Sequence, residues 1–104
     1  MTSKIVLLAF LVNAVPTFAA DGEAVFKARC ARCHGDDGRG KTKSAPPDLT
    51  DPKIQTSLTD ADIVNTITNG RKGTAMIAWK GKLSTEEISA VAAYVRSLGR
   101  KSGE

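Results

Sequence analysis

The stretch CARCHGDDGRGKTKS, residues 30–44, satisfies two unrelated patterns at once. Cys30, Cys33 and His34 form C-x-x-C-H, the spacing that attaches haem through two thioether bonds. Gly35, Gly40, Lys41 and Thr42 complete G-x-x-x-x-G-K-[ST], the loop that cradles phosphate groups. The flanking chain decides between them. A phosphate loop needs a strand before its glycines and a helix after them. Here a helix-like segment precedes, and Ser44-Ala45-Pro46-Pro47 follows, which cannot open a helix of useful length. No apolar strand ends in an Asp that could hold magnesium, and the chain lacks room for a parallel sheet covered on both faces. The glycines instead let the backbone turn tightly away from His34. Nucleotide binding is therefore excluded.

The other uses of C-x-x-C fare no better. A redox dithiol of the thioredoxin kind sits beside a βαβ pattern, and none is visible. A structural zinc site needs four ligands, whereas the chain offers two Cys and a single His. In the haem reading every residue of the motif has a task. Cys30, Cys33 and His34 stand at i, i+3 and i+4, so all three come to one side of a helical turn.

Working outward, three helices are predicted. The first covers residues 21–33, capped by Asp21, with Phe26, Cys30 and Cys33 at i, i+4 and i+7 on one face. The second opens on Thr59-Asp60-Ala61-Asp62, a capping box bracketed by Leu58 and Ile63; Ile63 and Ile67 share a face, and Asn69-Gly70 stops it. The third opens on the capping box Ser84-Thr85-Glu86-Glu87, with Leu83 and Ile88 as its staple. Ile88, Val91, Ala92, Val95 and Leu98 then recur at helical spacing, and Gly99 is read as its end. Residues 35–58 and 71–82 read as loops, and nothing alternates as a strand. The fold class is all-α with long loops. Loops of this length in a small domain need a reason, and wrapping a flat cofactor supplies one.

The N-terminus has its own character. Lys4 is followed by an apolar run over residues 5–15 and by Pro16-Thr17-Phe18-Ala19-Ala20, the order of a secretory signal peptide. The run is about half the ~20 residues of a spanning helix. Cleavage after Ala19 leaves residues 1–19 as the signal and residues 20–104 as one domain. An uncleaved tether is the alternative. Loss of Lys4 leaves fourteen basic and eleven acidic residues, interleaved rather than in a run, and a nucleic-acid footprint is denser than that. With His34 on one side of an iron, the second axial ligand must come from elsewhere. No other His exists, and beyond the signal Met76 is the one methionine, placed in a loop between two helices.

With these residues assembled, the chain resembles the small class I c-type cytochromes, and within them the bacterial c6/c552-like group. Gly22 and Phe26 match the first helix, Cys30 to Gly35 the haem motif, Pro47-Asp48-Leu49 a P-x-L loop, Asn69-Gly70 through Met76 the approach to the ligand, and Leu83-Ser84 through Tyr94-Val95 the last helix. The resemblance implies a cytochrome c fold, three main helices and long loops around one haem c bound through Cys30 and Cys33. It implies His34 and Met76 as axial ligands. It implies a hydrogen bond from the free ring nitrogen of His34 to the Pro47 carbonyl, Leu49 lining the haem, Trp79 closing the pocket, and Tyr94 packing near Gly22 and Phe26. One departure stands out: many relatives carry proline after the ligand methionine and this chain has Ile77, which leaves the loop less stiff.

The function so implied is a soluble one-electron carrier, not an enzyme, working in the periplasm (or a thylakoid lumen) between exported or membrane-bound partners. Residues 71–82 and the Ala31-Arg32 turn would frame the haem edge. Lys72, Lys80 and Lys82 would steer a partner with an acidic docking surface, with peripheral contact to membrane complexes. Two alternatives stand beside it: a peroxidase or diatomic-gas sensor exploiting a labile Met76, and an electron-transfer subunit of a larger dehydrogenase or oxidase complex.

Overall fold

The longest helix organises the rest. In the computed structural model, which describes residues 20–40 and 47–101, five α-helices follow in the order α1 (Gly22–Val25), α2 (Ala31–His34), α3 (Pro52–Ser57), α4 (Asp60–Asn69) and α5 (Thr85–Lys101). A π-helical turn, Phe26–Cys30, joins α1 to α2 without a break. Among the described residues there is no strand, only an isolated bridge between Lys80 and Leu83. None of their helices is long and apolar enough to cross a membrane. The signal peptide assigned to residues 1–19 lies outside the described residues, as do Lys41 and Thr42.

The caps form where the sequence places them. Asp21 accepts from the Ala24 N–H at the head of α1. Thr59 and Asp62 exchange both bonds of a capping box at α4. Ser84 and Glu87 do the same at α5. Each box satisfies amide donors that the helix itself cannot.

Three features differ from the sequence expectation. α3 falls in what reads as loop; its opening, Asp51 accepting from the Lys53 N–H with Pro52 in the first turn, is a short-range signal overshadowed by the surrounding prolines and glycines. α5 does not stop at Gly99 but continues to Lys101. Gly99 serves packing there: a Cβ would come within 2.6 Å of Gln55 Cγ. Finally, the π turn shifts the face of the first helical run. The Ala31 N–H donates to the Phe26 carbonyl, five residues back. Ala31 is buried in the same core cluster as Phe26, while Cys30 is half-buried and Cys33 exposed. The shared face expected for Phe26, Cys30 and Cys33 assumed a regular α-helix, and the wider turn removes it.

The core forms between α5 and the elements that cross it. Phe26, Val91 and Leu98 are fully enclosed, each contributing roughly 1.5–3 kcal/mol by the area it removes from water. α1 meets α5 at Gly22, where an added Cβ would strike the Ala90 carbonyl and stand 3.1 Å from Tyr94 Cβ. That approach sets the Phe26 and Tyr94 rings 5.2 Å apart at 53°, the contact expected for Tyr94.

Candidate functional site

The site begins at the end of the π turn. Cys30 and Cys33 are both free thiols. Burial pushes the Cys30 thiol up to about 11, so it is held as S–H. Burial also lowers His34 below the ordinary imidazole value, leaving the ring neutral at neutral pH. The ring lies 6.3 Å from that of Phe26. Its Nδ1 is buried and has no hydrogen-bond partner. The bond expected from this nitrogen to the Pro47 carbonyl is thus not made here, and Pro47 itself is exposed.

After His34 the chain reverses. Gly40 N–H donates to the His34 carbonyl at 2.6 Å, and Leu49 N–H donates to the Gly38 carbonyl at 2.8 Å. Gly38 has φ +81°, and a Cβ there would come within 2.6 Å of Leu98 Cδ1, so glycine is needed both for the turn and for its seat on α5. Gly35 and Gly40, the glycines of the phosphate-loop pattern, also have positive φ (+82° and +90°) and so serve the same reversal, and helix α2 stands before them in place of the strand that such a loop requires. Leu49 is buried in the core. Asp48 accepts from both the N–H and the hydroxyl of buried Thr50, and these bonds hold its carboxyl below the usual carboxylate range.

The Met76 loop is tied to the end of α4. The last carbonyls of a helix lack partners within it, and here loop amides supply them: Trp79 N–H donates to Ile67 O and Lys80 N–H to Thr68 O. Gly70, at φ +73°, lies so close to the loop that a Cβ would meet Met76 O at 2.7 Å and Ala78 N at 2.8 Å. Arg71 N–H donates to Met76 O, and Met76 N–H donates to Thr74 Oγ1. The backbone at Met76 is therefore held on both sides without proline at position 77. Ile77 itself is 49% exposed.

Of the residues singled out by sequence, the structure seats Cys30, Leu49, Met76 and Trp79 in or against one core cluster, and His34 beside its Phe26. Cys33 and Pro47 face outward. Sequence reasoning missed Gln55 and Arg96, which anchor Leu49 and whose bonds span about forty residues. No local pattern announces such a pair.

The donor set fits a haem. Two unpaired thiols three residues apart can hold a porphyrin edge. A neutral imidazole and a thioether suit haem iron. The buried, unpartnered Nδ1 of His34 leaves an N–H for an orienting acceptor once Nε2 is engaged. Among the described residues no group of three or more His, Cys, Asp or Glu could hold a metal ion.

Fold and site together define a c-type cytochrome domain, a class of haem c proteins whose work is electron transfer. The chain belongs to the family described as cytochrome c oxidase, cbb3-type, subunit III, whose model matches residues 17–95. It is 43% identical over 81 residues to the cbb3-type cytochrome c oxidase subunit FixP of Bradyrhizobium diazoefficiens, a match that covers 78% of this chain and 28% of FixP. It is 37% identical over 81 residues to subunit CcoP of Cereibacter sphaeroides, with the same coverage of each. The chain thus spans under a third of the length of these relatives. Among solved structures it is similar to the c-type cytochrome KustC0563 (TM-score 0.69, 28% identity, covering 75% of this chain and 96% of that one). It is also similar to cytochrome cL of Methylophaga aminisulfidivorans (TM-score 0.60, 26% identity, 86% and 63%). The class I cytochrome resemblance and the helical cytochrome c fold therefore hold, and the family is that of an oxidase subunit.

Proposed function

We propose that this chain is a haem c domain that passes single electrons within, or directly to, a cbb3-type oxidase. The observation that carries this reading is the Cys30–His34 turn, with its two free thiols and neutral imidazole, in a chain 43% identical to an oxidase subunit over 81 residues. Haem c, when bound, supplies an iron that exchanges one electron between its ferric and ferrous states. Cys30 and Cys33, both free thiols, would hold its edge through thioether bonds. His34, through Nε2, and Met76, through its sulfur, are the residues that would ligate the iron. With haem bound, the Pro47 carbonyl would accept from His34 Nδ1–H, which has no partner in this structure, and so fix the ring. Leu49 and Trp79 exclude water, which with a thioether ligand raises the potential. Exposed Lys72, Lys80 and Lys82 beside the Met76 loop offer an acidic partner surface its counter-charge. The domain works on the exported side, delivered there by residues 1–19.

A soluble carrier is the second reading, favoured by the likeness to KustC0563 over 96% of that cytochrome. The clamp on Met76 argues against a peroxidase or gas sensor, which needs that position to empty readily. The test is to express the full chain with haem-ligation machinery, together with a cbb3-type oxidase from the same cell. Covalent haem that survives acid–organic extraction, and co-purification of the chain with the oxidase, are the expected results. A chain that keeps its haem but reduces the oxidase only as a freely exchanging protein supports the carrier. A chain that retains no haem overturns both.

A further inference from the structure

One cluster of polar side chains is left without a task by the function above. The Arg96 guanidinium on α5 reaches three other parts of the chain. Its Nη1 donates to the Gln55 backbone carbonyl at 2.6 Å and to Gln55 Oε1 at 3.1 Å. Its Nη2 donates to the Leu58 carbonyl at 2.7 Å, and its Nε to Asp60 Oδ1 at 2.9 Å. The Asp60 carboxylate is 88% exposed, so the ion pair itself is worth little. The bonds to carbonyls at the C-terminal end of α3 and beyond it are the ones that position.

Gln55 is the element so held. With Oε1 taken by Arg96, its amide is oriented, and Nε2 donates to Leu49 O at 2.6 Å and to Val95 O at 3.0 Å. Its stem rests on Gly99, where any side chain would displace it. Leu49 is two residues past Pro47 and is itself buried in the core. Among the described residues, the segment 47–50 is tied to other elements by Leu49 N–H to Gly38 O and by Gln55 Nε2 of α3 to Leu49 O. The bonds of Asp48 and Thr50 stay within the segment or reach only its neighbour Asp51. One tether of the P-x-L segment is therefore a side chain, and Arg96 orients that side chain.

We propose that Gln55 and Arg96 are positioning residues for the haem site: they hold Leu49 and, through it, the segment from which the Pro47 carbonyl would reach His34 Nδ1–H once haem is bound, a bond that is not made in this structure. This rests on the haem reading above. With haem bound, an acceptor on Nδ1 would make the imidazole a stronger donor and favour the ferric state. Loosening it weakens that donation and shifts the potential upward.

The test uses the haem-loaded full chain as wild type, Gln55→Leu and Arg96→Lys. Gln55→Leu removes the amide at nearly constant volume. Arg96→Lys keeps the cation beside Asp60 but cannot span Gln55 and Leu58. Hydrogen exchange is followed by NMR in the ferrous protein at the Leu49 amide, at the His34 ring N–H and, for reference, at the Leu98 amide of α5. The expected result is exchange at Leu49 and His34 faster by about tenfold or more, with Leu98 unchanged, the signature of local rather than global opening. The reduction potential moves upward in the same variants, less in Arg96→Lys than in Gln55→Leu. Exchange that rises at all three sites together, or a potential that stays in place, overturns the proposal and leaves a purely structural role. An Arg96→Lys protein indistinguishable from wild type also overturns it, since orientation of Gln55 would not need Arg96. If instead the wild type retains no covalent haem, the functional reading has failed, which is a different outcome.

Discussion

Gly22→Ala tests the contact on which the helical frame rests. A Cβ at Gly22 would overlap the Ala90 carbonyl oxygen and lie 2.7 Å from its carbon, where ordinary contact begins at 3.4 Å. The obstacle is backbone, which cannot rotate aside, so α1 and α5 must part. Overpacking of this kind costs about 1–3 kcal/mol. The separation also opens the Phe26–Tyr94 pair, now 5.2 Å between centroids, and forfeits up to about 0.5–1.5 kcal/mol more. Alanine returns at most about 1 kcal/mol of helix propensity. The net destabilisation is about 2 kcal/mol, or about 8–16 °C in midpoint for a domain of this size. The assay is thermal unfolding of the haem-loaded protein, followed by far-ultraviolet circular dichroism. Gly73→Ala is the control: Gly73 has φ +83° with nothing within 4 Å of an added Cβ, so it isolates backbone strain at about 1 kcal/mol. A Gly22→Ala protein that melts with wild type, or no lower than Gly73→Ala, refutes the close-approach argument.

Three further outcomes are expected. Ser84→Ala removes the acceptor for the Glu87 N–H and costs about 1 kcal/mol, whereas Ser84→Asp keeps the cap; equal denaturant midpoints for the two variants would deny the cap its role. Asp48 is held below its ordinary value of 3.8 by Thr50, so the unfolded chain takes up the proton first and stability is lost as pH falls below that value. The stability gap between wild type and Asp48→Asn in urea should accordingly narrow from pH 5 to pH 3, and a constant gap contradicts the assignment. Met76→Ala should bind carbon monoxide rapidly in the ferrous state and lower the potential, read by visible spectroscopy and redox titration; a wild type that binds carbon monoxide just as fast would show that Met76 does not occupy the iron.

Much of the candidate site was legible because its signals are short. Cys30, Cys33 and His34 lie within five residues, and Met76 emerged by elimination from a chain with few rivals. The choice between haem and phosphate needed only the character of the flanking segments. The functional setting was less legible: residues of this kind look alike in free carriers and in oxidase subunits, and kinship to FixP and CcoP, not any motif, directs the proposal toward an oxidase.

The amino-acid sequence alone determined the helical class, the caps of α4 and α5 and the candidate ligands, because those depend on groups within about four residues of one another. Only the tertiary structure decided the π turn that buries Ala31 and leaves Cys33 outside, the run of α5 through Gly99, and the clamp that holds Met76 without proline. It alone joined Arg96 to Gln55 and Gln55 to Leu49. In each case the energy comes from packing and hydrogen bonding between segments that meet only when the chain closes on α5, and no local spacing encodes which segments those will be.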